Sequence, residues 1–236
     1  MIPKIKIPYH PIVIPEDGKT IHIKPYTIEF EKYLIEIENK QDLYTQIQII
    51  GELLKYCIVE EDYNINELSI GTMLWIFIKC YEISVNDTME FSYVHKCDKD
   101  NEQRIDMKIK TKDIQYNPDF TPLDIEIETE EGPYIVRFSH IKYKHLEALK
   151  SSNEGDDLRG QKLVVASCDR MFDKTGNNEI ELTEEDKEEI VKSLPLSKIE
   201  LIGARIANMP RPYIELEFDC PGCGKHIKEK LEDFFI

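Results

Sequence analysis

Cys220-Pro221-Gly222-Cys223-Gly224 sets two thiols three positions apart around a Pro-Gly pair. A turn of this kind lets both sulfurs converge on one cation, with backbone N–H groups pointing back at them. Gly224 suits the positive φ that closes the turn. Tetrahedral zinc takes four ligands, so the knuckle is half a site. Cys97 is the matching candidate from a second polar tip, and the fourth ligand is to be drawn from His95, Asp100 or His226. The expected metal set is His95, Cys97, Cys220 and Cys223. Asp100 stands where a second knuckle would carry its second cysteine, which excludes a closed four-thiolate site through these two tips. Three readings stay open: a structural zinc clamping two hairpins, a metal-free turn held by its Pro-Gly geometry, and a redox pair. The last lacks the following helix that lowers a thiol pKa.

Other reactive residue types form no comparable pattern. Ser167-Cys168-Asp169-Arg170 contains nucleophiles but no placed histidine, and His140 and His145 are five positions apart, a poor fit to one helix face. The acidic run from Glu184 to Glu189 reads as a solvated helix face. No P-loop, dinucleotide fingerprint, nucleophile elbow or H-E-x-x-H is present, so no catalytic residue is expected and the chain is read as a non-enzyme.

The elements that must carry these residues follow from periodicity. Helical spacing is expected over 28–37 and 43–58, and again from Asn66 or Ser69 through Tyr81. The run 73–78 is apolar on every side, which makes that helix central. Alternation over 89–95 and 105–109 predicts a hairpin whose tip holds Cys97, and a second hairpin spans 123–138 around Gly132-Pro133. Helices are expected over 140–150, 163–171, from Thr183 onward and over 196–207, before the alternating residues 214–218 lead to the knuckle. Residues 1–26 carry five prolines, with short alternating pieces around the Glu16-Asp17-Gly18 turn. They read as an extended arm suited to lie on another surface. The order of an apolar helix, a strand, a Cys-bearing tip and a return strand occurs at 68–110 and again from 194, which suggests a duplicated unit. The expected class is α+β, with an arm at 1–26, a helical and hairpin unit at 27–120, and a second unit at 121–236.

Composition restricts the partners. The 236 residues hold 30 Lys+Arg against 46 Asp+Glu, a net charge of −16. That argues against broad contact with nucleic acid or anionic lipid, both of which need a positive footprint. No run is long and apolar enough for a bilayer span, and the proline-broken start does not resemble a signal peptide, so a soluble chain in a cytoplasm is expected.

The helix–strand–cysteine-tip order, ending in Phe218-Asp219-Cys220-Pro221-Gly222-Cys223-Gly224 and Leu231-Glu232-Asp233-Phe234-Phe235, resembles the baseplate hub assembly proteins of T-even-type contractile-tailed bacteriophages. The resemblance takes in the Pro-rich start and the helical stretch after it. It implies a non-enzymatic part of, or helper for, the central hub of the tail baseplate. Such a protein would bind other hub proteins and be found in the virion tail or in the host cytoplasm during assembly. The alternative is a zinc-ribbon adaptor for nucleic acid or transcription machinery, which requires a basic surface beside Lys225, His226, Lys228 and Lys230.

Overall fold

A computed structural model describes residues 6–30, 35, 43–97, 101–149, 156–176 and 178–232. The class is mixed α+β, as expected. Its described helices are α1 (Leu43–Cys57), α2 (Ile70–Ser84), α3 (Asp156–Ser167), α4 (Glu184–Ser193) and α5 (Leu196–Ala207), beside several antiparallel sheets.

Three apolar clusters organise the chain. In the first, α1 turns Ile47, Ile50, Leu54 and Cys57 inward at helical spacing, against Met73, Ile76 and Cys80 of α2. Ser69 starts α2, its hydroxyl accepting the Thr72 N–H at 3.1 Å. Nearly every turn of α2 is buried, from Gly71 to Cys80, so the all-round apolar run is central because neighbours cover each side of it.

The arm differs from expectation. β1 (His10–Val13) and β2 (Thr20–Ile23) pair antiparallel around the anticipated turn, and Ile14, Ile21 and Ile23 enter the same cluster as α1 and α2. Residues 10–26 therefore lie on α1 and α2 of the same chain. Burying three isoleucines and Tyr26 stabilises the chain more than keeping the segment extended in water. The outer edge of β2 is also covered, since the Val59 N–H reaches the His22 carbonyl at 3.0 Å and the Lys24 N–H reaches the Cys57 carbonyl at 2.8 Å. β1 is the edge strand, and Pro11 on it has no N–H to offer.

The second cluster lies between α3, α4, α5 and one face of a four-stranded sheet. That sheet runs β6 (Leu123–Thr129), β7 (Gly132–Phe138), β8 (Cys168–Asp173) and β9 (Glu179–Ile180), in sequence order. Here the expected helix over 163–171 is corrected: α3 ends at Ser167, and Cys168 to Asp173 pair with Tyr134 to Phe138. An open strand edge on β7, with Cys168 and Met171 facing the core, outweighs the helical propensity of the preceding run. The segment expected as a helix over 140–150 is a 3-10 helix, Tyr143–Leu149. Of the helix expected over 28–37, Ile28–Phe30 is a 3-10 turn and most of the remainder lies outside the described residues.

The third cluster joins two hairpins. β3 (Thr88–Lys96) and β4 (Glu102–Lys110) form one; β10 (Pro212–Asp219) and β11 (His226–Leu231) form the other, with the short β5 (Gln115–Tyr116) beside β10. Ile78 of α2, Met89, Ile114, Ile214 and Leu216 form its buried centre, with Phe91, Tyr93, Met107, Phe218 and Leu231 packed around them. This cluster draws residues from both sides of position 120. Both helix–hairpin stretches exist, but α2 packs in the first and third clusters while α5 packs in the second.

Candidate metal centre

The third cluster brings the hairpin tips together. Tyr93 of β3 meets Phe218 of β10 edge-on, ring centroids 5.6 Å apart, two residues short of His95 on one strand and of Cys220 on the other. At the first tip, the Cys97 N–H donates to the Asn101 carbonyl at 2.9 Å. At the second, the Cys220 N–H donates to the Lys225 carbonyl at 2.9 Å and the Gly224 N–H to the Cys220 carbonyl at 2.8 Å. Gly224 has φ +69°, the left-handed conformation that closes the knuckle without a Cβ penalty.

The ligand atoms of His95, Cys97, Cys220 and Cys223 all lie within 4.8 Å of one another. Cys97 Sγ is 3.7 Å from Cys220 Sγ, and Cys223 Sγ is 3.5 Å from His95 Nε2. Tetrahedral coordination with ordinary Zn–S and Zn–N bonds places sulfurs about 3.8 Å apart and sulfur and nitrogen about 3.5 Å apart. The donor set and its spacing could therefore hold a metal ion. A Cβ on Gly222 would lie 3.0 Å from Gln103 Oε1 and 3.4 Å from Cys97 Sγ, so the missing side chain lets the knuckle press against the first tip.

The sulfurs are electrostatically unlike. Burial, with the nearby Cys220 and Cys223 thiols, pushes Cys97 up to about 12. Burial also opposes ionisation of Cys220, but N–H groups of Cys223 and Gly222 directed at its sulfur outweigh it and hold that thiol below its ordinary value. A thiolate-stabilising knuckle is the arrangement a cation needs.

The other candidates fall elsewhere. His226 turns to Asp219, Nδ1 to Oδ1 2.8 Å, and Asp100 lies outside the described residues. Ser167 donates to the Val164 carbonyl at 2.7 Å, and burial pushes Cys168 up to about 12, so that pair holds no activated nucleophile. His140 stacks on Phe120 at 4.0 Å between ring centroids, and His145 Nδ1 faces the Lys142 N–H at 3.5 Å. Glu184 and Glu188 pair with Lys187 and Lys192, and Asp186 completes a capping box with Thr183, as an exposed helix start should. Beside the knuckle, Lys228 pairs with Glu217 at 3.1 Å and Lys230 with Glu232 at 2.7 Å, so carboxylates offset these two lysines.

Sequence reasoning missed one polar group. Glu16 accepts hydrogen bonds from the Ser69 hydroxyl and, at 3.2 Å, from the Tyr116 hydroxyl, with His140 Nδ1 at 4.0 Å. It ties the β1–β2 turn to the start of α2, to β5 and to the segment after β7. Nothing local signals this, because Glu16 reads as an ordinary turn residue.

Fold and cluster together define a mixed α+β protein whose two hairpins meet at a metal-type knuckle. The chain belongs to the family described as T4 bacteriophage base plate protein, whose model matches residues 7–236. No curated protein and no solved structure matches it significantly. It is a T4-type baseplate protein, and membership implies a structural role in the tail baseplate and binding to other phage proteins. No helix among the described residues is long and apolar enough to cross a membrane.

Proposed function

We propose that this protein is a component of the baseplate hub, or a helper in hub assembly, acting by protein–protein binding without catalysis. Its cluster of His95, Cys97, Cys220 and Cys223 holds a structural zinc that clamps the two hairpins. The observation that carries the zinc is the convergence of four donors, two pairs of which stand at tetrahedral spacing; with all four bound, no ligand position is open for substrate. Family membership supports the baseplate role. The partners are other hub proteins, met in the host cytoplasm during assembly or in the finished virion tail. Nucleic acid is not among them, since the lysines of β11 are paired with carboxylates.

The metal is tested by elemental analysis of protein purified without chelator, with about one zinc per chain expected. A content near zero removes the zinc. At a free zinc concentration a thousandfold above its Kd, the ion would stabilise the fold by about 4 kcal/mol, so chelation should lower Tm. The role is tested by co-purification with hub proteins, whose docking site is the edge strand β1, open to pairing with a partner strand. Deleting residues 1–15 would take Ile14 from the core, so the sharper variant is Tyr9→Ser with Val13→Ser, two exposed side chains on or next to the edge strand β1. Loss of complex with an unchanged melting curve is expected; an unchanged complex would count against docking through this strand.

A further inference from the structure

The four ligands are unequally placed. Cys220 is 2% exposed and His95 9%, Cys97 is half-buried, and Cys223 is exposed. The hairpins that carry them have their own reasons to be in position. Nine cross-strand pairs hold β3 to β4 and six hold β10 to β11, while the third cluster packs one hairpin on the other through Tyr93 and Phe218. Small zinc modules without such a core fold only when metal arrives. Here the apolar contacts and strand registers already bring His95, Cys97 and Cys220 to one place, and only the solvent-side ligand lies outside that packing.

We propose that the metal centre is preformed by the folded hairpins and loads and unloads its ion on the folded protein through Cys223, with His95, Cys97 and Cys220 as the retained cup. This rests on the zinc reading above. Cys223 lies between Gly222 and Gly224, neither of which carries a side chain to pin it, and Gly222 directly abuts the opposite tip. Loading forms three Zn–S bonds and one Zn–N bond as the ion sheds water, and sulfurs that are still protonated pass their protons to solvent. No electron transfer is involved. The zinc is thus an exchangeable clasp on a standing structure, and its occupancy tightens the hairpin pair without deciding whether it folds.

The test uses the full chain, stripped by chelator under reductant and reloaded with Co²⁺ as the optical probe. Amide exchange on the stripped protein should show β3, β4, β10 and β11 still protected. Cys223→Ser should still take up Co²⁺, with a weaker thiolate charge-transfer band, and should release it to chelator at least about 10-fold faster than the parent, since losing even an outer-shell partner costs that much affinity. Cys220→Ser should show no uptake. Loss of protection throughout both hairpins in the stripped protein would overturn the inference, as would equal release rates or equal loss of uptake in the two variants. Failure of the parent itself to bind Co²⁺ or Zn²⁺ would overturn the zinc reading, and this inference with it.

Discussion

Helices α2 and α5 each lead into a hairpin with a cysteine at its tip, yet they relate to the rest of the chain in different ways. α2 buries residues from Gly71 to Cys80 and touches two of the three clusters. α5 fully buries only Ile202 and leaves Leu196 72% and Leu201 47% exposed. The hairpins that follow nonetheless converge, tip against tip. What is alike is therefore the finger and its ligand chemistry, and what differs is the rod. One rod is a load path through the middle of the molecule; the other is a cover on the second sheet. Recurrence of an element order does not by itself fix packing, because packing is decided by which faces are apolar.

The largest effect should separate the two rods directly. Ile76 is fully buried on α2, so Ile76→Ala removes apolar volume from a site enclosed by α1 and should cost about 2–5 kcal/mol. Leu201→Ala on α5 removes a half-exposed side chain and should stay within about 0.5 kcal/mol. Urea unfolding of both variants measures the difference. Equal losses would mean that α5 carries load in a way its exposure conceals.

A smaller effect probes where the two stretches touch. A Cβ on Gly71 would fall 1.9 Å from the Pro210 carbonyl oxygen and 3.2 Å from the Arg211 Cα. The start of α2 is therefore in backbone contact with the segment that feeds β10. Gly71→Ala must push that segment away, at about 1–3 kcal/mol of overpacking strain. Because β10 leads directly into Cys220, the same variant should also weaken metal retention, which chelator competition would reveal. A stable variant with unchanged retention would show that the second finger is positioned independently of α2.

These contrasts also mark what the sequence makes legible. The four-residue cluster is readable because its evidence is local: a Pro-Gly turn between two cysteines, and a polar tip with its own cysteine after an alternating strand. The centrality of α2 is readable because its run is apolar on every side. β8 is not readable, since Leu163, Val164, Val165 and Ala166 precede Cys168 and continue the look of a helix, and only the open edge of β7 makes a strand there. The place of Ile14, Ile21 and Ile23 in the core depends on α1 and α2, dozens of positions away. The Glu16 tie spans 53 positions to Ser69 and 100 to Tyr116. A single carboxylate carries no motif of its own to mark such distant partners, whereas the cysteine tips, 123 positions apart, each do.

The smallest expected effect concerns the seam between the first and second clusters. His145 lies in the 3-10 helix Tyr143–Leu149, which packs against α1 of the first cluster and α3 of the second. Burial, then the cations of Lys187 and Lys144, hold it down at about 4, with Lys142 acting the same way and Glu184 opposing. An unfolded histidine titrates near 6.5. Between about 6.5 and 4 the unfolded chain therefore binds the extra proton, and stability falls as pH falls through that window. His145→Asn removes the titration while keeping an acceptor near the Lys142 N–H. The variant should lose less stability between pH 7 and pH 5 than the parent, by up to the contribution of one proton. Some slope should remain, because burial also holds His140 below its ordinary value, against the opposing charge of Glu16. Urea unfolding at the two pH values measures this. An unchanged slope in the variant would mean that the seam opens to water before it unfolds, and that the first and second clusters are coupled more loosely than their shared 3-10 helix indicates.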